Sequence, residues 1–144
     1  MSRASLVLLW ACAVCMFFPL RDVSAQSAHR RAGGADSLTT KSGVYTSQQA
    51  ARGRDVYMGN CRSCHTPETH TGATFNAVWN KRSLADLYSF VRERMPKNDP
   101  GTLSDEEYAD VLAYLLRMNK MPAGKRELAP DSVALAKIRI EIRK

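Results

Sequence analysis

A chain of 144 residues, 44% of them hydrophobic, holds one small domain with appendages and not a string of domains. Its 21 basic and 14 acidic residues give a net charge of +7. The basic residues are spread along the chain, and no basic helix is interleaved with aromatics, which argues against nucleic acid as a partner. A basic surface of this kind suits an acidic protein partner.

The N-terminus reads as an export signal. Arg3 supplies a positive start, Leu6 to Leu20 ("LVLLWACAVCMFFPL") is an uncharged apolar run, and Val23-Ser24-Ala25 provides the small residues that precede cleavage. A bilayer span takes about 20 apolar residues, more than this run offers, and Pro19 lies near its end. Residues 1–25 are therefore expected to be removed before Gln26, leaving a periplasmic protein. An uncleaved membrane anchor is the alternative, and neither Cys12 nor Cys15 follows a good lipobox. Cleavage removes Arg3, Arg21, Asp22 and two cysteines, so the mature charge is +6 and only Cys61 and Cys64 remain.

Residues 26–43 are polar, contain Gly and Ser and lack a hydrophobic period, which predicts a flexible leader. The spacing then predicts a helix over 47–60. Thr46 and Gln49 stand at capping-box spacing, and Ala50, Gly53 and Tyr57 share a face. Glycine inside a helix costs about 1 kcal/mol, so Gly53 implies that another helix approaches closely there. The helix delivers "CRSCH", Cys61 to His65, at its C-terminal end. Thr66 to Arg82 reads as a loop, with Pro67 and Gly72 as breakers and Phe75 and Trp79 as apolar anchors.

A second helix is expected after Ser83, with Leu84, Leu87, Tyr88 and Val91 on its buried face and Pro96 at its end. Asn98 to Thr102 is a turn. Ser104 with Glu107 opens a third helix whose stripe is Tyr108, Val111, Leu112 and Leu115, and which ends near Asn119. In the tail Asp131 caps a short helix through Lys137, and "IRIEIRK" alternates like an edge strand. The expected organisation is an export signal (1–25), a leader (26–43), a domain (44–122) and a C-terminal extension (123–144) packing on that domain. There is no internal repeat.

Three sites fit two cysteines two residues apart followed by histidine: half a zinc site, a thioredoxin-like redox pair, or a covalently attached c-type haem. A structural zinc site needs about four ligands, and no second pair completes one. A thioredoxin-like pair belongs to a βαβ pattern that is missing around residue 61. Haem attachment needs two thiols one helical turn apart to meet two vinyl groups, with an imidazole carried under the ring, and Cys61, Cys64 and His65 have that spacing. A haem would also serve a small chain as one large apolar core filler.

The iron's opposite face has Met58, Met95, Met118, Met121, His29 and His70 as candidates. Met58 precedes the motif on the same helix and cannot reach that face. Met118 reads as core filler. His29 lies in the leader and His70 only five residues past His65, and both read as surface residues. Met95 and Met121 remain, each followed by proline. Met95 is favoured because its loop can cross the distal face, whereas Met121 follows a helix committed to the first helix.

The stretches "GVYTSQQAARGRDVYMGNCRSCH" and "RMPKNDPGTLSDEEYADVLAYLLRMNKMPAGKREL" resemble the class I cytochrome c domains found as exported mono-haem carriers and in quinoprotein-type dehydrogenases. The resemblance implies a small all-α fold with three main helices wrapped round one covalent haem c. It implies that Cys61 and Cys64 carry the haem, with His65 as proximal and Met95 as distal iron ligand. It further implies a helix crossing where Gly53 and Tyr57 meet Tyr114. The departure is Thr66 to Asn80, shorter than usual and without the common glycine-rich phrase.

The implied function is an electron carrier, not an enzyme. The alternatives are a haem subunit held permanently by a dehydrogenase or membrane complex, a haem enzyme or gas-binding protein with open iron, and a dithiol oxidoreductase. Lys81, Arg82, Arg92, Arg94 and Lys97 would form a basic rim for an acidic redox partner.

Overall fold

The computed structural model describes residues 38–142. The expected export signal and positions 26–37 of the leader lie outside these residues. The described chain runs through strand β1 (Leu38–Thr39), helices α1 (Ser47–Asn60), α2 (Gly72–Trp79), α3 (Leu84–Arg94), α4 (Asp105–Met118) and α5 (Ser132–Leu135), then strand β2 (Ile138–Arg139). Short 3₁₀ turns occupy Thr40–Ser42 and Pro67–His70.

Helix α4 is the centre of the core. Ser104 and Glu107 form a reciprocal capping box, and three acids in its first turn suit the positive end of the helix dipole. Tyr108, Leu112, Ala113 and Leu116 are fully buried, and Ala109, Val111 and Leu115 nearly so. A helix apolar on most of its circumference must be wrapped by others. Helix α1 crosses it at Gly53, where an added Cβ would fall on the Asp110 carbonyl. One turn later the Tyr57 and Tyr114 rings meet with centroids 5.3 Å apart. The crossing implied by the sequence is therefore present.

Arg52 braces the same crossing. It makes a two-pronged contact with Asp110 (2.8 and 3.0 Å) and reaches Glu127 of the tail (2.9 and 3.0 Å). The Thr46 side chain caps α1 through the Gln49 amide (3.0 Å). Gln49 itself does not return the bond. Its buried side chain donates to the Leu128 carbonyl (3.0 Å) and accepts from the Leu128 amide (2.8 Å), fastening the tail to α1.

Two expectations need correction. Thr66 to Arg82 is not a loop throughout, because α2 fills its second half and, among the described residues, adds a short helix to the three main ones of the small all-α fold. Phe75 and Trp79 stand four apart, on one helical face, and both are buried. The breakers mark starts and not interruptions: Pro67 opens the 3₁₀ turn, and Gly72 opens α2 with φ +62°.

The second correction concerns the leader, whose last residues, 38–43, belong to the fold. Leu38 and Thr39 pair in parallel with Ile138 and Arg139. Thr40 is fully buried, its hydroxyl donating to the Glu141 carbonyl (3.0 Å) and accepting from the Glu141 amide (2.9 Å). Gly43, at φ +70°, lies against Gly124 with no room for a Cβ on either.

The tail takes both forms its sequence offered. Asp131 accepts from the Val133 and Ala134 amides to cap α5, and β2 pairs at the sheet edge. Ile140 then exchanges backbone bonds with Lys81 and Arg82 just before α3 (2.7 and 2.8 Å). Leu128, Leu135, Ile138 and Ile140 enter the same core as α4.

Candidate functional site

The C-terminal end of α1 winds directly into the cysteine motif. The Tyr57 carbonyl accepts from the Cys61 and Arg62 amides (2.9 and 3.0 Å), and the Cys61 carbonyl accepts from the Cys64 and His65 amides (3.1 and 3.0 Å). That turn places two free cysteines and a histidine side by side on a single fold of chain. Cys61 is half-buried and Cys64 exposed, and burial pushes the Cys61 thiol up.

Cys61 and His65 line an apolar cavity of about 70 Å³ that opens to solvent. Every long helix contributes to its wall: Tyr57 from α1, Phe75 and Trp79 from α2, Leu87, Phe90 and Val91 from α3, and Val111 and Leu115 from α4. Met95 caps the C-terminal end of α3, its amide bonded to the Val91 carbonyl (2.9 Å), and it lines the same cavity. A smaller adjoining cavity of about 30 Å³ shares Cys61, His65 and Met95 and adds Cys64, Pro96 and Lys97. All four residues singled out from the sequence thus border one continuous region.

The remaining candidates are placed elsewhere, except one. Met121 is buried in the core outside the cavity, its carbonyl accepting from the Tyr45 hydroxyl (2.7 Å). Met58 is 49% exposed on α1, Met118 packs against the core, and His29 lies outside the described residues. His70 is the exception. It is half-buried in the cavity wall, its ring centroid 4.6 Å from that of His65 and edge-on to Tyr57 at 6.0 Å. Burial and the neighbouring His65 hold its pKa below the ordinary histidine value.

The 3₁₀ turn brings His70 back over the site, and Asn119 holds it there by donating to the His70 carbonyl (2.8 Å) while accepting from the Gly72 amide (3.2 Å). Five residues of separation concealed this closeness, because only a turn read from Thr66-Pro67 would have revealed it.

The basic residues near the site are partly engaged. Arg92 pairs with Asp105 (2.8 Å), Arg94 lies over the Phe90 ring (5.7 Å), and Arg82 lies over Trp79 (4.9 Å). Lys81 and Lys97 are exposed, and Lys97 sits beside Met95 at the smaller cavity.

Residues 48–115, the stretch that builds this cavity, match the family model for cytochrome c oxidase, cbb3-type, subunit III. This segment is a class I c-type cytochrome domain. No curated protein and no solved structure matches the chain significantly. The cytochrome domain binds one covalently attached haem c with its iron, and is a haem-binding electron-transfer unit.

The residues present fit that group. The cavity walls are apolar, two thiols stand at one end, and an imidazole and a thioether face the same space. The Tyr57 hydroxyl is buried without a hydrogen-bond partner among the described residues, and burial, then Cys61, raise its pKa. A lone buried hydroxyl on such a wall fits a cavity whose filling includes a polar edge. No helix among the described residues is long and apolar enough to cross a membrane.

Proposed function

We propose that the protein is an exported c-type cytochrome that passes single electrons between redox partners through a haem ligated by His65 and Met95. The observation that carries this reading is the convergence of Cys61, His65 and Met95 on one apolar cavity, with Cys64 at its rim. The thiols of Cys61 and Cys64 would tether the macrocycle, and His65 and Met95 would bind its iron. When bound, the haem supplies a one-electron couple at its iron, and histidine–methionine ligation raises its potential. Phe75, Trp79 and Leu87 keep water away, and their close packing keeps the surroundings still when the charge changes.

The signal-like N-terminus supports a periplasmic location, and an intact mass for the exported protein starting at Gln26 would test it. The exposed Lys97, with Arg94, supplies positive charge near the Met95 loop for an acidic redox partner, and the exposed Lys81 adds to it at the other end of α3. Electron transfer should then slow steeply with added salt, and a rate indifferent to ionic strength removes the idea. A second reading is a haem subunit held permanently in a dehydrogenase or membrane electron-transfer complex. The matched family is named for an oxidase subunit, which supports it, and gel filtration of the native protein separates the two.

The deciding experiment is an optical spectrum of protein made with a haem-attachment system, oxidised and reduced. Covalent haem with a weak far-red sulfur-to-iron band, lost in Met95→Ala and kept in Met121→Ala, is the expected result. A wild type that lacks the band and binds carbon monoxide readily would overturn the carrier reading in favour of a sensor or enzyme.

A further inference from the structure

We propose that Tyr108 is a positioning residue for Met95, an inference that rests on the reading of Met95 as distal ligand. Tyr108 is fully buried in the first turn of α4, on a helix start fixed by the Ser104–Glu107 capping box. Its hydroxyl donates to the Met95 carbonyl (2.9 Å) and accepts from the Gly101 amide (3.0 Å). One oxygen therefore joins the residue that ends α3 to the turn that leads into α4. Gly101 sits at φ +80°, a conformation that brings its amide back toward the ring.

Met95 is held on both sides as a result. Its amide is anchored to Val91 on α3 and its carbonyl to Tyr108 on α4, while its side chain lines the cavity. A thioether is a weak ligand on a flexible side chain, so the orientation of its backbone matters to how often it leaves. Without the hydroxyl, only the α3 side of that backbone remains fixed. The Tyr88 ring, edge-on to Tyr108 at 6.4 Å, keeps the aromatic body in place whether or not the hydroxyl is present.

The molecule contains its own control. Tyr45 donates to the Met121 carbonyl (2.7 Å), a buried bond of the same kind to a methionine that does not line the cavity. Tyr108→Phe removes the bonds to Met95 and Gly101, and Tyr45→Phe removes the bond to Met121, so both variants should weaken folding. Only Tyr108→Phe should loosen Met95.

The test is titration of the oxidised haem protein with imidazole, which takes the distal position only when methionine leaves it, followed by loss of the sulfur-to-iron band. Apparent imidazole affinity should rise about two- to tenfold in Tyr108→Phe, the factor expected from one lost hydrogen bond, and stay at the wild-type value in Tyr45→Phe. Equal affinity in wild type and Tyr108→Phe, or an equal rise in both variants, overturns the inference while leaving the Met95 reading intact. A wild type without the band overturns both.

Amide exchange on wild-type protein covers the case in which Tyr108→Phe does not fold. The hydroxyl that holds the Met95 carbonyl also accepts from the Gly101 amide, so releasing Met95 with imidazole should loosen that second bond as well. Exchange of the Gly101 amide should accelerate about two- to tenfold on imidazole binding, and an unchanged rate refutes the coupling.

Discussion

Replacing Gly53 and Gly59 by alanine, one at a time, should move stability in opposite directions, although both glycines lie in α1. At Gly53 a new Cβ would meet the backbone of Asp110 and Val111, which cannot rotate aside as a side chain would. Helices α1 and α4 must separate, and overpacking of this kind costs about 1–3 kcal/mol. The better helix propensity of alanine returns up to about 1 kcal/mol, leaving a net loss of about 1–2 kcal/mol. At Gly59 no atom lies within 4 Å of the added Cβ, so the propensity gain of about 0.5–1 kcal/mol stands alone. Each kcal/mol moves the midpoint of a domain this size by about 4–8 °C. Thermal and urea unfolding of the haem-loaded proteins should place Gly53→Ala below wild type and Gly59→Ala above it. Two variants of equal stability would refute the argument that backbone contact at residue 53 sets the crossing.

Gln49→Leu should destabilise by about 2–4 kcal/mol in urea unfolding, because it strands both the amide and the carbonyl of Leu128 in a buried setting. The acid limb of stability offers a further check. Arg52 holds the Glu127 carboxyl below its ordinary 4.5, so Glu127 stabilises the fold above that unfolded value and loses its contribution as pH falls through the lower folded one. Glu127→Gln should flatten the stability profile below about pH 4.5, by less than about 1 kcal/mol because the pair is solvent-exposed. An unchanged acid limb would remove Glu127 from the account.

The helices legible in the sequence were those with a cap and a stripe. Ser83 and Ser104 sit where their capping boxes are found, and Thr46 begins α1 as its spacing implies. Helix α2 escaped because it is eight residues long, carries no side-chain cap, and shows its helical nature only through Phe75 and Trp79. The ordered end of the leader escaped for another reason. Thr40 is polar, and nothing local announces that its hydroxyl will be buried against Glu141, a partner 101 residues away. Gln49 likewise looked like half of a capping box, and its use against Leu128 depends on a tail whose position no local pattern encodes. Short-range signals fix element starts, whereas long-range pairing decides which polar side chains go inside.

The same distinction governs the site. Cys61, Cys64 and His65 are close because they are adjacent in sequence, so their grouping needs little beyond one turn of chain. Met95 and Met121 are alike in sequence, each preceding proline, and both have their carbonyl held by a buried tyrosine hydroxyl. What differs is the element on which each is mounted. Met95 ends α3, which together with α2 walls the cavity, and its side chain lines that space. Met121 follows α4 by three residues, and its side chain is buried in the core. The tyrosine bond by itself therefore carries no information about ligation, and its consequence depends on where the methionine points. Tyr108 and Tyr45 should thus both contribute to folding, whereas only Tyr108 bears on the distal position, a difference that stability measurements alone would miss.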